Sequence, residues 1–169
     1  MRILRSKKRW AASTVGVAVI GVFATVALGN GPNSGFVGQT PLVTAKLDNS
    51  VQMNSDRVKF QTKDPTYVRV QEFNIASGGL SGWHHHPGIV IAAVQSGAVT
   101  FTNSDCSSET YGYDTQDPPH VLPAGSVFTE GNDDPGQASS VSGALLYATF
   151  VAPHAVPPVF RIVVAAQTC

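Results

Sequence analysis

Residues 82–97 read GWHHHPGIVIAAVQSG, which joins a histidine triplet to a run of six apolar residues at 89–94. This run is too continuously apolar for a strand with one solvated face. It therefore predicts a strand that is buried on both faces or lines the interior of a barrel. Ser96 and Gly97 predict a tight hairpin connection to the next strand. A closed barrel or a double-sheet jelly roll would satisfy this pattern.

The rest of the domain also predicts β-structure. Short runs of β-branched and aromatic residues are separated by Gly, Pro, Asn and Asp, without convincing helical periodicity. The polar stretches 104–119 and 130–142 predict surface loops at the ends of the barrel. The predicted strands cover residues 42–47, 57–62, 67–75, 89–94, 98–103, 126–129, 145–151 and 159–164. The fold class predicted for the domain is therefore all-β, with one hydrophobic helix preceding it.

The N-terminal region predicts export. Five of the eleven basic residues fall in the first nine positions, and residues 11–28 are uncharged. A basic cluster before an apolar segment is typical of a secretory signal peptide, and the segment is barely long enough to serve as a membrane anchor instead. We expect a signal peptide or signal anchor at 1–29, a linker at 30–40 and the domain at 41–169, secreted or anchored outside the cytoplasm. Membrane contact would come only through an uncleaved N-terminal segment.

Charge excludes one class of partner. After residue 9 the chain has six Lys+Arg against eleven Asp+Glu, a balance of 6 − 11 = −5. An acidic domain lacks the basic surface that nucleic acid requires. We therefore expect no nucleic-acid partner.

Two cysteines occur in the chain, Cys106 in a polar stretch and Cys169 as the last residue printed. Exported domains meet an oxidising compartment, so a Cys106–Cys169 disulfide is predicted. Reactive or metal-binding thiols are the alternative, but the chain has no Cys-x-x-Cys spacing to favour them.

His84 and His86 form the predicted metal site. In an extended strand alternate side chains share a face, so these two lie about 6.6 Å apart along the chain on one side, and His85 points to the other, solvated side. Paired imidazoles can bind one divalent ion, and nitrogen ligands suit Zn, Fe, Mn, Ni or Cu. The alternative is a pair of barrel-mouth histidines that no longer bind metal.

The same residues resemble the first motif of the cupin family. The likeness lies in Gly82, the His84-x-His86 pair and Gly97, and it is closest to small exported bacterial cupin-domain proteins. A second, looser likeness begins at Pro123-Ala124-Gly125. The resemblance implies a jelly-roll β-barrel, the cupin-type double-stranded β-helix. It also implies a homodimer as an expected assembly.

The departures from the cupin pattern concern the metal ligands. Val90 stands at the motif's Glu position. In the second motif the His position falls at Phe128 in one frame and near Gly136 in another. A third ligand must therefore come from outside both motifs. The available donors are His120, which follows two prolines, and Glu130, Asp133, Asp134 and His154.

Two functions follow from these features. The favoured interpretation is a non-catalytic exported module that binds a small ligand, with or without a divalent metal, at the barrel mouth. The alternative is a metal-dependent cupin enzyme of the dioxygenase or isomerase class acting on a small molecule. The residues predicted to line the ligand pocket are Trp83, Phe128 and Tyr147, with Phe101 and Phe150 as further candidates; each could instead be a core residue.

Overall fold

The computed structural model describes residues 36–107, 121–131 and 133–168, with side chains from residue 38 onward. These residues form strands and no helix. The strands are β1 (Phe36–Leu47), β2 (Gln52–Ser55), β3 (Val58–Gln61), β4 (Thr66–Ile75), β5 (Gly79–Leu80), β6 (His84–His85), β7 (Ile89–Asn103), β8 (Val121–Pro123), β9 (Val127–Glu130), β10 (Gly136–Ser140), β11 (Ala144–Pro153) and β12 (Ile162–Val163). The all-β prediction is confirmed.

The strands build a curled antiparallel barrel around β7. Its first half pairs with β11 and β9, and its second half pairs with β8 and β10. On one side β11 continues to β4 and the edge strand β1; on the other, β10 continues to β5, β6 and β12. The strands β2 and β3 form a separate hairpin. This strand order agrees with the predicted jelly-roll barrel.

The hairpin predicted at Ser96-Gly97 is wrong, because β7 runs through both residues without a turn. Gly97 has a φ of 73°, in the left-handed region that glycine adopts readily. A side chain there would clash with the carbonyl oxygen of Gly143 on the neighbouring segment. Gly97 therefore marks the corner at which β7 passes from one sheet to the other.

The apolar run at 89–94 is buried on one face and not on both. Val90, Ala92 and Val94 are at most 3% exposed, whereas Ile89 and Ile91 are 56% and 45% exposed. The inner residues join a core of buried apolar side chains that includes Val99, Leu122 and Phe128. The run thus lines the barrel interior, which was one of the two predicted arrangements.

Two strands lie where the sequence predicted irregular chain. The strand β1 begins at Phe36, within the range 30–40 predicted as a linker, and pairs with β4 from its first residue. The strand β10 lies inside the predicted loop 130–142 and alternates buried and half-buried residues. Its small residues pack closely: a side chain on Gly136 would clash with the ring of Phe101.

The C-terminal segment 154–168, here called the strap, crosses the barrel beside β6. It was predicted as a strand over 159–164, but only β12 is regular, pairing Ile162 with His85 and Val163 with His84. The amide of Val164 donates to the carbonyl of Trp83 at 3.2 Å. Phe160 anchors the strap, being 7% exposed in the barrel core.

Neither prediction for the two ends of the chain is settled by the described residues. The signal or anchor at 1–29 and Cys169 lie outside them. Cys106 Sγ lies 3.8 Å from the carbonyl oxygen of Thr168, the residue before Cys169. The Cys106–Cys169 disulfide stays a prediction that this contact favours. No candidate membrane-spanning helix occurs among residues 36–107, 121–131 and 133–168.

Candidate metal centre and ligand cavity

The strand geometry separates the histidine triplet as predicted. His84 and His86 point into the barrel and are 6% and 5% exposed. His85 points away, with Nδ1 at 3.3 Å from Asp133 Oδ1 on the surface. The ring centroids of His84 and His86 lie 4.8 Å apart. The inward pair thus comes from β6 and the residue that directly follows it.

Each inward histidine is oriented through its Nδ1 atom. His84 Nδ1 lies 2.7 Å from the carbonyl oxygen of Gly82, and His86 Nδ1 lies 2.6 Å from the carbonyl oxygen of Phe160. A carbonyl can only accept a hydrogen bond, so Nδ1 carries the proton in both rings. The free Nε2 lone pairs therefore face the interior, the tautomer that metal-binding histidines show when a backbone carbonyl holds the other nitrogen.

Glu130 supplies a carboxylate to the same point. It ends β9, where it is the cross-strand partner of Val90. Cross-strand partners project side chains to the same face of a sheet. The carboxylate absent at residue 90 is therefore provided from the adjacent strand. Glu130 Oε2 lies 3.3 Å from His86 Nε2 and 3.9 Å from His84 Nε2.

The electrostatics of His84 and Glu130 suit them as ligands for a cation. Burial lowers the pKa of His84 from 6.5 to about 4, so this ring is neutral at neutral pH. Burial alone would raise the pKa of Glu130, but His86, His84 and Arg161 together outweigh it and hold that pKa below its ordinary value. A carboxylate and two imidazole rings thus meet in a buried site. A cation held between them would offset the cost of burying the carboxylate charge.

The spacing fits one metal ion. The ligand atoms of His84, His86 and Glu130 all lie within 4.8 Å of one another. Neighbouring ligands on one ion, with bonds of about 2.1 Å, stand roughly 3.0–3.5 Å apart. Only a small inward adjustment of the rings would be needed. Two histidines and one carboxylate on one side of an ion form the arrangement that non-haem iron uses, with the other positions open.

The open side of this group faces a cavity of about 740 Å³. Its wall is mostly apolar, with side chains from both sheets and from the strap. The apolar wall includes Phe73, Ile75, Val90, Phe128, Leu146, Phe150 and Phe160. Such a space can enclose one small organic molecule.

Arg161 comes from the strap and reaches the cavity beside the metal centre. Its Nη2 donates to the carbonyl of Ser81 and, at 3.5 Å, to that of Gly82. Its Nη1 is buried and has no hydrogen-bond partner among the described residues. Burial lowers the pKa of Arg161, an effect that the charge of Glu130 partly opposes.

Two of the predicted pocket residues lie elsewhere. Phe128 lines the cavity, as does the further candidate Phe150, whereas Trp83 and Tyr147 are not among the lining residues. Trp83 precedes an inward histidine and so takes the opposite face of the strand. Tyr147 alternates with the inward Leu146 and Ala148 on β11, and its hydroxyl donates to Glu72 Oε2 at 3.0 Å. An aromatic residue can lie on either face of a strand, so residue type alone could not predict the positions of Trp83 and Tyr147.

The remaining candidate donors divide clearly. His120 lies outside the described residues. His154 stacks on Tyr67 with ring centroids 5.4 Å apart, and Asp133 is held by His85 on the surface. Of the donors weighed from sequence, Glu130 is the one that joins the histidines. The signal that could have identified it is the register that pairs residue 130 with residue 90.

Comparisons with known proteins show a likeness to solved structures only. No family model and no curated protein matches the chain. A protein of unknown function from Streptococcus pyogenes is 20% identical with a TM-score of 0.42, covering 64% of this chain and 78% of that chain. A cupin superfamily protein from Desulfitobacterium hafniense is 12% identical with a TM-score of 0.40, covering 66% and 80%. A salicylate 1,2-dioxygenase from Pseudaminobacter salicylatoxidans is 16% identical with a TM-score of 0.39, covering 48% and 20%.

These likenesses are too distant to indicate an activity. The fold rests on this chain's own features: the antiparallel register, the long β7 shared by two sheets, and the inward histidine pair at the barrel mouth. The described residues form curled antiparallel sheets, consistent with the predicted jelly-roll barrel.

Proposed function

We propose that this protein is a metal-dependent cupin that binds one divalent ion through His84, His86 and Glu130 and a small organic molecule in the adjoining cavity. The observation that carries the proposal is the convergence of His84, His86 and Glu130 at one buried point, with their ligand atoms all within 4.8 Å of one another. Buried groups of this kind bind a cation or shift their protonation.

The structure changes the balance between the two predicted functions. The sequence favours the non-catalytic interpretation because the second motif has no histidine, and Glu130 offers a third ligand in its place. A bound metal would supply Lewis-acid or redox chemistry at positions left open toward the cavity. The protein would contribute a fixed ligand geometry, an apolar enclosure that excludes water, and carbonyl groups that hold each ring in one tautomer.

One observation still favours binding without turnover. The titratable side chains lining the cavity are His84, His86 and Glu130, which would all be ligands, and Arg69 and Arg161. Among the described residues, none is left to act as a general acid or base there. Oxygen-dependent chemistry centred on the metal needs no such group, so we place it first among the enzymatic alternatives.

Metal content tests the proposal. We expect the full-length protein, purified without chelator or affinity tag, to contain close to one divalent ion per chain by elemental analysis. The double variant His84→Ala/His86→Ala should contain none. His85→Ala is the matched control, because it removes an imidazole from the same strand on the opposite face, and it should keep the wild-type content. Metal-free wild-type protein that does not take up Fe(II), Mn(II), Zn(II), Ni(II) or Cu(II) would contradict the proposal.

We further propose that the domain works outside the cytoplasm with its strap tied by a Cys106–Cys169 disulfide. The basic and apolar N-terminal sequence supports export, and the 3.8 Å contact of Cys106 Sγ with Thr168 supports the disulfide. Peptide mapping by mass spectrometry of the exported protein, with and without reduction, should reveal a linked Cys106–Cys169 pair. Two alkylatable thiols in the non-reduced protein would contradict it.

A further inference from the structure

The cavity has a polar feature that metal binding does not use. Arg161 Nη1 is buried without a hydrogen-bond partner among the described residues, while Nη2 of the same guanidinium is satisfied by Ser81 and Gly82. An unpaired buried donor is costly, more so when it carries charge. Arg161 lines the cavity, so an anionic ligand there that pairs with the guanidinium would offset this cost.

The charge in the cavity is positive. Of the six Lys and Arg residues that follow residue 9, Arg69 and Arg161 line this one space, against the single carboxylate of Glu130. A histidine can only add positive charge, so the balance of the charged groups lining the cavity is at least 2 − 1 = +1, and a divalent ion would add to it. Low dielectric strengthens the attraction of such a site for an anion.

The two arginines differ in the hydrogen bonds that their guanidinium groups make. Arg69 Nε donates to Thr44 Oγ1 at 3.0 Å, and its guanidinium lies 3.9 Å from the centroid of the Phe160 ring. Arg161 has backbone partners on one terminal nitrogen only. The unsatisfied group is therefore Arg161, and Arg69 contributes mainly to the local potential.

The rest of the wall defines the body of the ligand. Phe73, Ile75, Phe128, Leu146 and Phe150 would contact any molecule that fills the cavity. A small inorganic anion would leave this apolar surface uncovered. A carboxylate on an apolar body matches both parts, because its planar oxygens suit a guanidinium and its hydrocarbon portion suits the wall.

We propose that the cavity binds a small organic monocarboxylate with an aromatic or aliphatic body, whose carboxylate pairs with the guanidinium of Arg161. The position of this ligand beside the metal rests on the proposed function. Binding of the carboxylate to Arg161 does not itself require metal, so the two proposals can fail separately.

Calorimetric titration with benzoate and its neutral isostere benzamide tests the proposal, in metal-loaded and in chelator-stripped protein. We expect benzoate to bind at least about tenfold more tightly than benzamide in both forms, because charge-assisted hydrogen bonds are the stronger ones. Arg161→Gln should abolish this preference, and Arg161→Lys should keep part of it. Arg57→Gln is the matched control, because Arg57 is exposed on the β2–β3 hairpin beside Asp56 and should change nothing.

The outcomes separate the carboxylate site from the metal site. Equal binding of benzoate and benzamide by wild-type protein, or binding of neither, would overturn the carboxylate site without use of any variant. A benzoate preference that persists in Arg161→Gln and vanishes on metal removal would overturn the role of Arg161. The protein could prefer benzoate over benzamide, lose that preference in Arg161→Gln, and never take up metal. This result would support the carboxylate site and contradict the proposed metal-dependent function.

Discussion

The two sides of the cavity are held in different ways. Glu130 ends β9 and His84 lies on β6, where backbone pairing with neighbouring strands fixes both, and His86 directly follows β6. Arg161 lies on the strap, which has two residues of regular strand and depends on side-chain anchoring at Phe160. The strap is also joined to the metal ligands, because β12 pairs with β6 and the carbonyl of Phe160 lies 2.6 Å from His86 Nδ1. Replacing the Arg161 side chain should therefore alter ligand choice while the metal ligands stay in place, whereas displacing the whole strap should also disturb His86.

The largest expected effect tests how firmly the strap is held. Phe160 packs against Phe150 and Tyr67 and lies beneath the Arg69 guanidinium. We expect Phe160→Ala to lower the free energy of unfolding by about 4 kcal/mol, the range for a buried aromatic truncated in a core. Urea denaturation measures this. A loss below about 1 kcal/mol would mean that the strap adds little to the barrel.

The next effect concerns the pH dependence of stability in the metal-free protein. The pKa of His84 is 6.5 when unfolded and about 4 when folded. The unfolded chain therefore binds this proton first as the pH falls, and stability present above pH 6.5 is lost on acidification toward pH 4. The full loss from His84 is about 3 kcal/mol. Glu130 adds a loss of the same sign at lower pH, because its folded pKa is also depressed.

Denaturation of chelator-stripped protein at a series of pH values checks this prediction. His84→Gln should flatten the slope between pH 6.5 and 4, whereas His85→Gln should keep it, since His85 is on the outer face. A wild-type stability that is independent of pH over this window would contradict the buried, neutral state of His84.

The smallest effect is expected outside the cavity. The Tyr147 hydroxyl donates to Glu72 Oε2 on the outer face, a hydrogen bond that also raises the pKa of Tyr147. Tyr147→Phe should leave the free energy of unfolding close to that of wild type, and the metal content and benzoate affinity unchanged. A large change in ligand affinity would place this side chain at the ligand after all.

The sequence allowed the metal side to be predicted in part and the strap side hardly at all. Strand alternation was enough to place His84 and His86 together, since it is a local property. Glu130 was only one donor among several, because its position depends on the pairing of β9 with β7 across a long intervening loop. The polar residues 136–140 predicted a loop, yet they form a strand because glycine and small side chains fit beside Phe101.

Arg161 had no sequence signal of its own. Its place in the cavity follows from the path of the strap past Ser81, which joins residues eighty positions apart. The same limit applies to Ser96-Gly97, where local turn propensity predicted a hairpin and the barrel corner required a continuous strand with one glycine. Local rules identified elements and faces, while long-range register decided which faces meet.

The most direct test of the central claim is the affinity of Glu130→Gln for a single divalent ion, measured by competition with a chromophoric chelator. Glu72→Gln is the matched control, because it removes a carboxylate from the outer face of β4. If Glu130 completes the site, its amide variant should bind at least about 100-fold more weakly than wild type, while Glu72→Gln binds as tightly as wild type. Equal affinity in wild type and Glu130→Gln would contradict a metal centre built from His84, His86 and Glu130.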